Sequence, residues 1–400
     1  MNNSTNKFDH FNAKVCLQVL PELDVSGVSR GTIELSKAIV SSGRRALVAS
    51  NGGVFTKDLS RMGVQHYNLG LSSKSPLSII MNAVYLSDIV NKEGVSIIHA
   101  RSRAPAWSAY LASKWTNKPL VTTFHGTYGA GFMGLKKKYN SIMLKGDSVI
   151  AISKFIYNHI LEEYKFDSKY IYNVPRGVDL NIFSPNKVSA ERIIQMSREW
   201  ELSENTGPVI MLPGRLSPWK GQLLLLEAIN YLHVINRLPE NLRCLLVGPA
   251  GNKKKYRNRI EEKIREFKLG GVVQIIDNCK DIGSAYMLTD VVISASLRPE
   301  AFGRVVAEAQ AMGRPVVAPN HGAASEIIKK DVTGWLFKPG NATSLAEALE
   351  KALSISQLER ESLASIARDN IKDKFTVSQM IDSTLDIYEN TIKTYNLGLQ

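Results

Sequence analysis

The chain has 400 residues, 44% of them hydrophobic and 22% charged, with 50 Lys/Arg against 37 Asp/Glu and a formal net charge of +13. That length exceeds what one core usually serves, so two domains are expected, and the balance is that of a globular chain rather than a disordered or fibrous one. No apolar run is long enough to span a bilayer and the polar segment Met1–Asn12 lacks a signal-peptide core, so a cytoplasmic protein is expected.

Residues 1–180 hold 22 Lys/Arg against 12 Asp/Glu, whereas 181–400 hold 28 against 25. Nucleic acid is one reason for such a surplus of base, but no RNA-binding motif, zinc finger or basic helix-turn-helix pattern is present. An anionic membrane surface or a phosphorylated acceptor fits better, and a solvated basic face with no partner stays open. Cys16, Cys244 and Cys279 stand singly, as reduced thiols do, with no disulfide or zinc spacing.

In chain order, β-branched runs at Lys14–Leu20, Ala46–Ser50, Ser96–His99, Leu120–Thr123 and Ser148–Ile150 predict strands, each followed by a turn and an amphipathic segment. The rhythm restarts after residue 205, with strands predicted at Val209–Leu212, Arg243–Val247, Val272–Ile275, Val291–Ser294 and Pro315–Ala318. Strands alternating with helices predict parallel sheets covered on both faces: an α/β chain of two doubly wound, Rossmann-like domains. The candidate hinge is Asn173-Val174-Pro175-Arg176-Gly177-Val178-Asp179 with the polar stretch to Gly207. The predicted domains are 1–178 and 179–377, with a last helix within 378–400 packing back on the first. Facing domains of this kind bind ligands in the cleft at their strands' carboxyl ends.

Four constellations carry chemistry. After the first strand, Asp24-Val25-Ser26-Gly27-Val28-Ser29-Arg30-Gly31 leads into a helix whose free N–H groups and dipole suit an anion, although taken alone such a segment is usually just a turn. Phe124-His125-Gly126-Thr127-Tyr128-Gly129 follows another strand, where His125 is either a ligand or a structural residue. His99-Ala100-Arg101-Ser102-Arg103 adds two guanidiniums, Arg101 and Arg103, to the same rim. Beyond lies Gly131–Lys145, in which Phe132, Met133 and Leu135 precede Lys136-Lys137-Lys138; this mix suits either an anionic bilayer surface or a solvated helix face.

In the second half, Gly214-Arg215-Leu216-Ser217-Pro218-Trp219-Lys220-Gly221 places a forked guanidinium and a compact ammonium at a strand's end, as phosphate oxygens require. Arg298-Pro299-Glu300-Ala301-Phe302-Gly303-Arg304-Val305-Val306-Ala307-Glu308 sets two glutamates around the start of an apolar helix. The N–H groups of Phe302, Gly303 and Arg304 open that helix and form a second anion site. Glu308 is expected to be buried, a costly position for a carboxylate without partners, which either ribose hydroxyls or an internal Arg would supply. Glu300 either receives sugar hydroxyls or caps the helix.

Together with Gly322 and Glu326 and with Gly334-Trp335-Leu336-Phe337, these motifs resemble the retaining glycosyltransferases of family four, which have the GT-B fold. The resemblance runs from Lys14 through Asn341–Ser354, and its most specific part is the Glu-x7-Glu segment. It implies a nucleotide-sugar donor, UDP- or GDP-linked, a glycolipid or saccharide acceptor, and neither cofactor nor metal; no Asp-x-Asp motif is present. It implies that Arg215 and Lys220 stabilise the leaving diphosphate, Glu300 contacts the transferred sugar, Glu308 holds the ribose, Gly27 approaches the phosphates, His125 lies by the sugar, and Asn278-Cys279-Lys280 reads the base through its backbone. Arg101, Arg103 and Tyr128 are the acceptor candidates. A retaining transfer of a hexose-type sugar in envelope glycolipid or lipopolysaccharide synthesis is expected, on the inner face of the cytoplasmic membrane. Two other readings are an epimerase on the same fold and a non-catalytic nucleotide-sugar sensor. The chain departs from the family at Ser26-Gly27, Arg176-Gly177 and Asp277, which bear on nucleotide identity.

Overall fold

The computed structural model describes residues 15–129, 135–203, 205–251 and 254–398. Phe132 and Met133 of the expected membrane-docking segment lie outside them. The chain divides into two compact units, Met1–Pro175 with Ser378–Gln400, and Arg176–Val377.

The first unit has seven strands: β1 (Val15–Val19), β2 (Arg45–Ser50), β3 (Gln65–Asn68), β4 (Ile97–Ala100), β5 (Leu120–Phe124), β6 (Ser148–Ala151) and β7 (Ile171–Asn173). They form one parallel sheet in the order β3-β2-β1-β4-β5-β6-β7. The second unit has β8 (Val209–Pro213), β9 (Arg243–Val247), β10 (Val273–Ile276), β11 (Val291–Ile293), β12 (Val316–Pro319) and β13 (Trp335–Phe337), parallel in the order β10-β9-β8-β11-β12-β13. Both are doubly wound. β1, β4, β5, β6, β8, β11 and β12 are buried along their whole length, because helices cover both faces of a parallel sheet and its strands read as continuous apolar runs. The strand order reverses between β1 and β4 and between β8 and β11, and these two switch points are where such sheets open a crevice.

β1 carries one polar residue in its middle, Gln18, fully buried. Its amide donates to the Thr32 carbonyl at 3.1 Å and the Ser36 hydroxyl at 2.8 Å, while its carbonyl accepts from Arg101 Nη1 at 2.5 Å. Arg101 also donates to the Gly31 carbonyl at 3.2 Å. Strand, first helix and the end of β4 are thereby locked into one register.

The chain crosses between the units twice, and the crossings meet in the second unit. Val178 donates to Phe375 O at 2.8 Å, and Val377 donates to Val178 O at 3.2 Å. A Cβ on Gly177 would lie 2.2 Å from Thr376 C and Val377 N, so only glycine fits there. No helix among the described residues is long and apolar enough to cross a membrane.

The helix Val377–Leu397 packs on the first sheet through a buried polar line. His99 Nδ1 lies 2.6 Å from the Tyr388 hydroxyl and its Nε2 lies 2.7 Å from Thr123 Oγ1; Ser148 and Thr391 share a hydrogen bond of 2.7 Å. Burial, helped by the nearby Arg101 charge, holds His99 well below the ordinary imidazole range. The unfolded chain takes up a proton near pH 6.5 that the folded unit refuses, so stability from this group is complete above that pH and falls below it. Urea melts of the wild type are expected to lose about 1.4 kcal/mol per pH unit below about pH 6 relative to His99→Asn. Tyr388→Phe leaves a buried ring nitrogen unpaired and should cost about 1–3 kcal/mol at pH 7.5.

Candidate functional site

At the β8/β11 switch point the second unit gathers its cations and carboxylates. β8 ends in Gly214 at φ +145°, and a Cβ on Gly248, after β9, would stand 2.3 Å from the Gly214 carbonyl. The loop then makes a short 3-10 turn, Pro218–Lys220, and Gly221 adopts the left-handed conformation (φ +76°) that starts the helix Gln222–Val234. A Cβ on Gly221 would lie 1.9 Å from the Ala295 carbonyl, so the glycine lets this turn sit against the end of β11. Leu297 N donates to Trp219 O at 2.7 Å and fastens the two loops.

That fastening sets Lys220 beside Glu300. Lys220 Nζ donates to Glu300 Oε1 at 2.6 Å and lies 4.4 Å from the centre of the Trp219 ring. Ser296 Oγ donates to the same carboxylate oxygen. The Glu300 carbonyl accepts from Ala323 N at 3.0 Å, and a Cβ on Gly322 would fall 2.7 Å from it. Glu300 is thus held from the β8, β11 and β12 loops at once. Arg215 is exposed; its carbonyl accepts from Gln222 Nε2 at 3.1 Å, and among the described residues its guanidinium has neither hydrogen-bond nor ion-pair partner.

The helix Arg304–Ala311 starts from Gly303 at φ +78°, with Phe302 buried in front of it against the Phe375 ring. The first backbone N–H groups of this helix have no acceptor within it, and it begins four residues after Glu300. Glu308 is 8% exposed. Its Oε1 accepts from Arg304 Nη2 at 2.7 Å, one helical turn back, and its Oε2 accepts from the Tyr286 hydroxyl at 3.0 Å. Burial and the Glu308 charge push the Tyr286 phenol well above its usual range, so it stays a proton donor. The internal Arg is the partner this structure gives Glu308, and Tyr286 is a second that sequence spacing did not reveal.

Asn278-Cys279-Lys280 forms a loop between β10 and the helix Ile282–Leu288, whose N-cap is the Asp281 carboxylate, bound in turn by Arg192 at 2.7 and 2.8 Å. Burial pushes the Cys279 thiol up to about 11, so it is a neutral side chain at pH 7. Asp277, the departure from the family pattern, pairs with Arg257.

In the first unit, Gly27 is the first residue of the helix Gly27–Ser41, capped by Ser26 Oγ, which accepts from Ser29 N at 3.2 Å. The preceding loop is shaped by a residue the sequence reading missed: a Cβ on Gly53 (φ +144°) would collide with the Leu23 backbone at 2.6 Å. The pair Gly52-Gly53 directly after β2 was the available signal. For Arg101 the expectation is corrected. It is 5% exposed and turned inward onto Gln18 and Gly31, so it positions the first helix rather than lining a rim. Arg103 is half-buried, its guanidinium 4.3 Å from the centre of the Tyr128 ring and 3.0 Å from Asn140 Oδ1. Tyr128 also packs on Phe124, with ring centres 5.2 Å apart, and His125 is half-buried beside them.

Two family models match: Glycosyltransferase Family 4 over residues 25–182 and Glycosyl transferases group 1 over residues 194–370. A glycosyltransferase crystal structure from Rickettsia africae is 38% identical, covers 96% of this chain and 100% of its own, and superposes with a TM-score of 0.88. The chain belongs to the group 1 glycosyltransferases and has the GT-B fold. The HepE protein of Anabaena, solved with UDP and glucose, is 23% identical over 94% of this chain and 99% of its own, with a TM-score of 0.79. An Escherichia coli enzyme named UDP-Gal:alpha-D-GlcNAc-diphosphoundecaprenol alpha-1,3-galactosyltransferase is 24% identical over 76% of this chain and 78% of its own.

Lys220 and Glu300 are only 16% and 15% exposed at their side chains, so removing either leaves a poorly solvated charge. Lys220→Met and Glu300→Gln should each destabilise by about 1–3 kcal/mol, and the double variant by about 1 kcal/mol less than their sum, as read from a denaturant double-mutant cycle.

Proposed function

We propose that this glycosyltransferase moves a hexose-type sugar from a nucleoside-diphosphate donor, UDP- or GDP-linked, to a glycolipid, lipopolysaccharide or polysaccharide-precursor acceptor, with retention at the anomeric carbon. One observation supports the reading: Lys220 is held against Glu300 in the loop after β8 that also carries Arg215, at a strand switch point, and Glu300 lies four residues before the helix Arg304–Ala311. As the bond from sugar to diphosphate breaks, negative charge grows on the leaving oxygen. A guanidinium, an ammonium and helix N–H groups already fixed in place stabilise that charge more than they stabilise the intact donor. Lys220 exchanges its contact with Glu300 for phosphate, which frees Glu300 to accept hydrogen bonds from sugar hydroxyls.

Glu308 serves the ribose in this reading, with Arg304 and Tyr286 keeping its charge in place beforehand; the amides of Phe302, Gly303 and Arg304 serve the phosphates, and the backbone about Cys279 serves the base. In the first unit, Arg103 and Tyr128 serve the acceptor. Among the described residues no three His, Cys, Asp or Glu side chains gather as metal ligands. The reaction we propose is metal-independent. Acceptor class and work at the inner membrane face rest on the basic N-terminal half and on the E. coli relative's acceptor, a diphosphoundecaprenol-linked sugar.

Arg215→Ala, Lys220→Ala and Glu300→Gln are each expected to lower kcat/KM at least about 100-fold while the folded state survives at the assay temperature. Turnover within a few-fold of wild type in all three contradicts the assignment. Activity should persist in EDTA, and NMR of the first-formed product should show the donor's anomeric configuration; loss of activity or inversion rules out the corresponding part.

A further inference from the structure

The helix Pro76–Glu93 has two apolar faces. The inner one, Ala83, Leu86, Ile89 and Val90, is buried against the first unit, and the Ile79 carbonyl accepts from Ser108 Oγ of the next helix at 3.0 Å. On the outer face Leu77, Ile80, Met81, Val84 and Tyr85 are between 49% and 68% exposed. Their spacing of three and four residues makes a single stripe along the helix. Five such side chains form a patch on the order of 500 Å², the scale that marks an interaction surface on a monomer.

The charges at the ends of the stripe select the occupant. Lys74 stands just before the helix and Asp88 continues the stripe beyond Val84; both are exposed, and neither has an ion-pair or hydrogen-bonding partner among the described residues for its side chain. Each is seven residues from Met81, at the middle of the stripe. An antiparallel pairing of two such helices about a two-fold axis at Met81 brings Lys74 opposite the partner's Asp88, Leu77 opposite the partner's Tyr85, and Met81 onto its own copy. Asp88 then also faces the positive N-terminal end of the other helix. The same contacts recur twice, as an isologous interface demands. An anionic bilayer offers Asp88 only repulsion.

We propose that the outer face of the helix Pro76–Glu93 is a homodimer interface, occupied by the same face of a second copy of this chain. The two copies together bury about 1,000 Å² of apolar surface, at the threshold for a specific interface, so the dimer is expected at micromolar concentrations.

Light scattering after size exclusion of the full chain, from about 1 to 100 μM, should show twice the chain mass at the upper end. Met81→Asp sets two like charges face to face and should leave only monomer, with unchanged circular dichroism and melting because the residue is at the surface. Lys74→Glu and Asp88→Lys should each weaken the dimer about threefold to tenfold, and the double variant should restore it to within about twofold. A monomeric wild type at 100 μM, or a dimer indifferent to Met81→Asp, overturns the proposal. So does a double charge variant no better than the single ones. Co-sedimentation of a monomeric wild type with phosphatidylglycerol vesicles, lost in Met81→Asp, assigns the stripe to a membrane instead.

Discussion

A parallel sheet that is doubly wound has one place where neighbouring strands send their helices to opposite faces, and no side chain of the sheet itself can close the gap there. In this protein that constraint falls between β1 and β4 in one unit and between β8 and β11 in the other. The loops that leave these strands carry Gly27, Arg101 and Arg103 in the first case and Arg215, Lys220 and Glu300 in the second. The backbone reaches these positions only because particular glycines allow it. Gly221 against Ala295 and Gly322 against Glu300 are contacts that a single methyl group would break.

Two polar sets in the second unit are satisfied internally. Lys220, Ser296 and Glu300 form one; Arg304, Tyr286 and Glu308 form another. Such pairing keeps half-buried charges tolerable and fixes their geometry in advance, at the cost that a ligand must replace a good contact with a better one. Among the described residues Arg215 has no such partner, so its guanidinium would meet an anion with little to give up. On the proposed reading the three side chains differ in what binding changes for them: Arg215 would gain a contact, Lys220 would exchange one, and Glu300 would release an ammonium as it takes hydroxyls.

Ten of the thirteen strands among the described residues were legible in the sequence, since a strand buried on both faces reads as an apolar run. The three that were not, β3, β7 and β13, are all edge strands. β3 is Gln65-His66-Tyr67-Asn68, half-exposed and polar, and β7 and β13 are three residues long and, unlike the equally short β11, not buried throughout, so none carries a pattern strong enough to detect. Arg215, Lys220 and Glu300 were legible because they lie in loops at strand ends, and Glu308 because it follows Glu300 by eight positions in an apolar helix. Arg101 misled because its fate is decided by Gln18, far away in sequence, whose buried amide needs a partner that only the folded sheet brings near. Tyr286 was invisible for the same reason: its role depends on Glu308 lying across from it, not on its own neighbours.

Calorimetric titration with a nucleoside diphosphate and its matching monophosphate, for the UDP and GDP pairs, reads the contribution of the second phosphate directly. The arrangement at the β8/β11 switch point predicts that the wild type prefers the diphosphate by tenfold or more, since two cations contact it at about 1.4 kcal/mol or more in total. It predicts that Arg215→Ala and Lys220→Ala each take away about half of that preference in free energy, whereas Glu300→Gln keeps it. Equal affinity for both nucleotides in the wild type, or a preference untouched in both cation variants, would contradict the assignment of Arg215 and Lys220 to the leaving diphosphate.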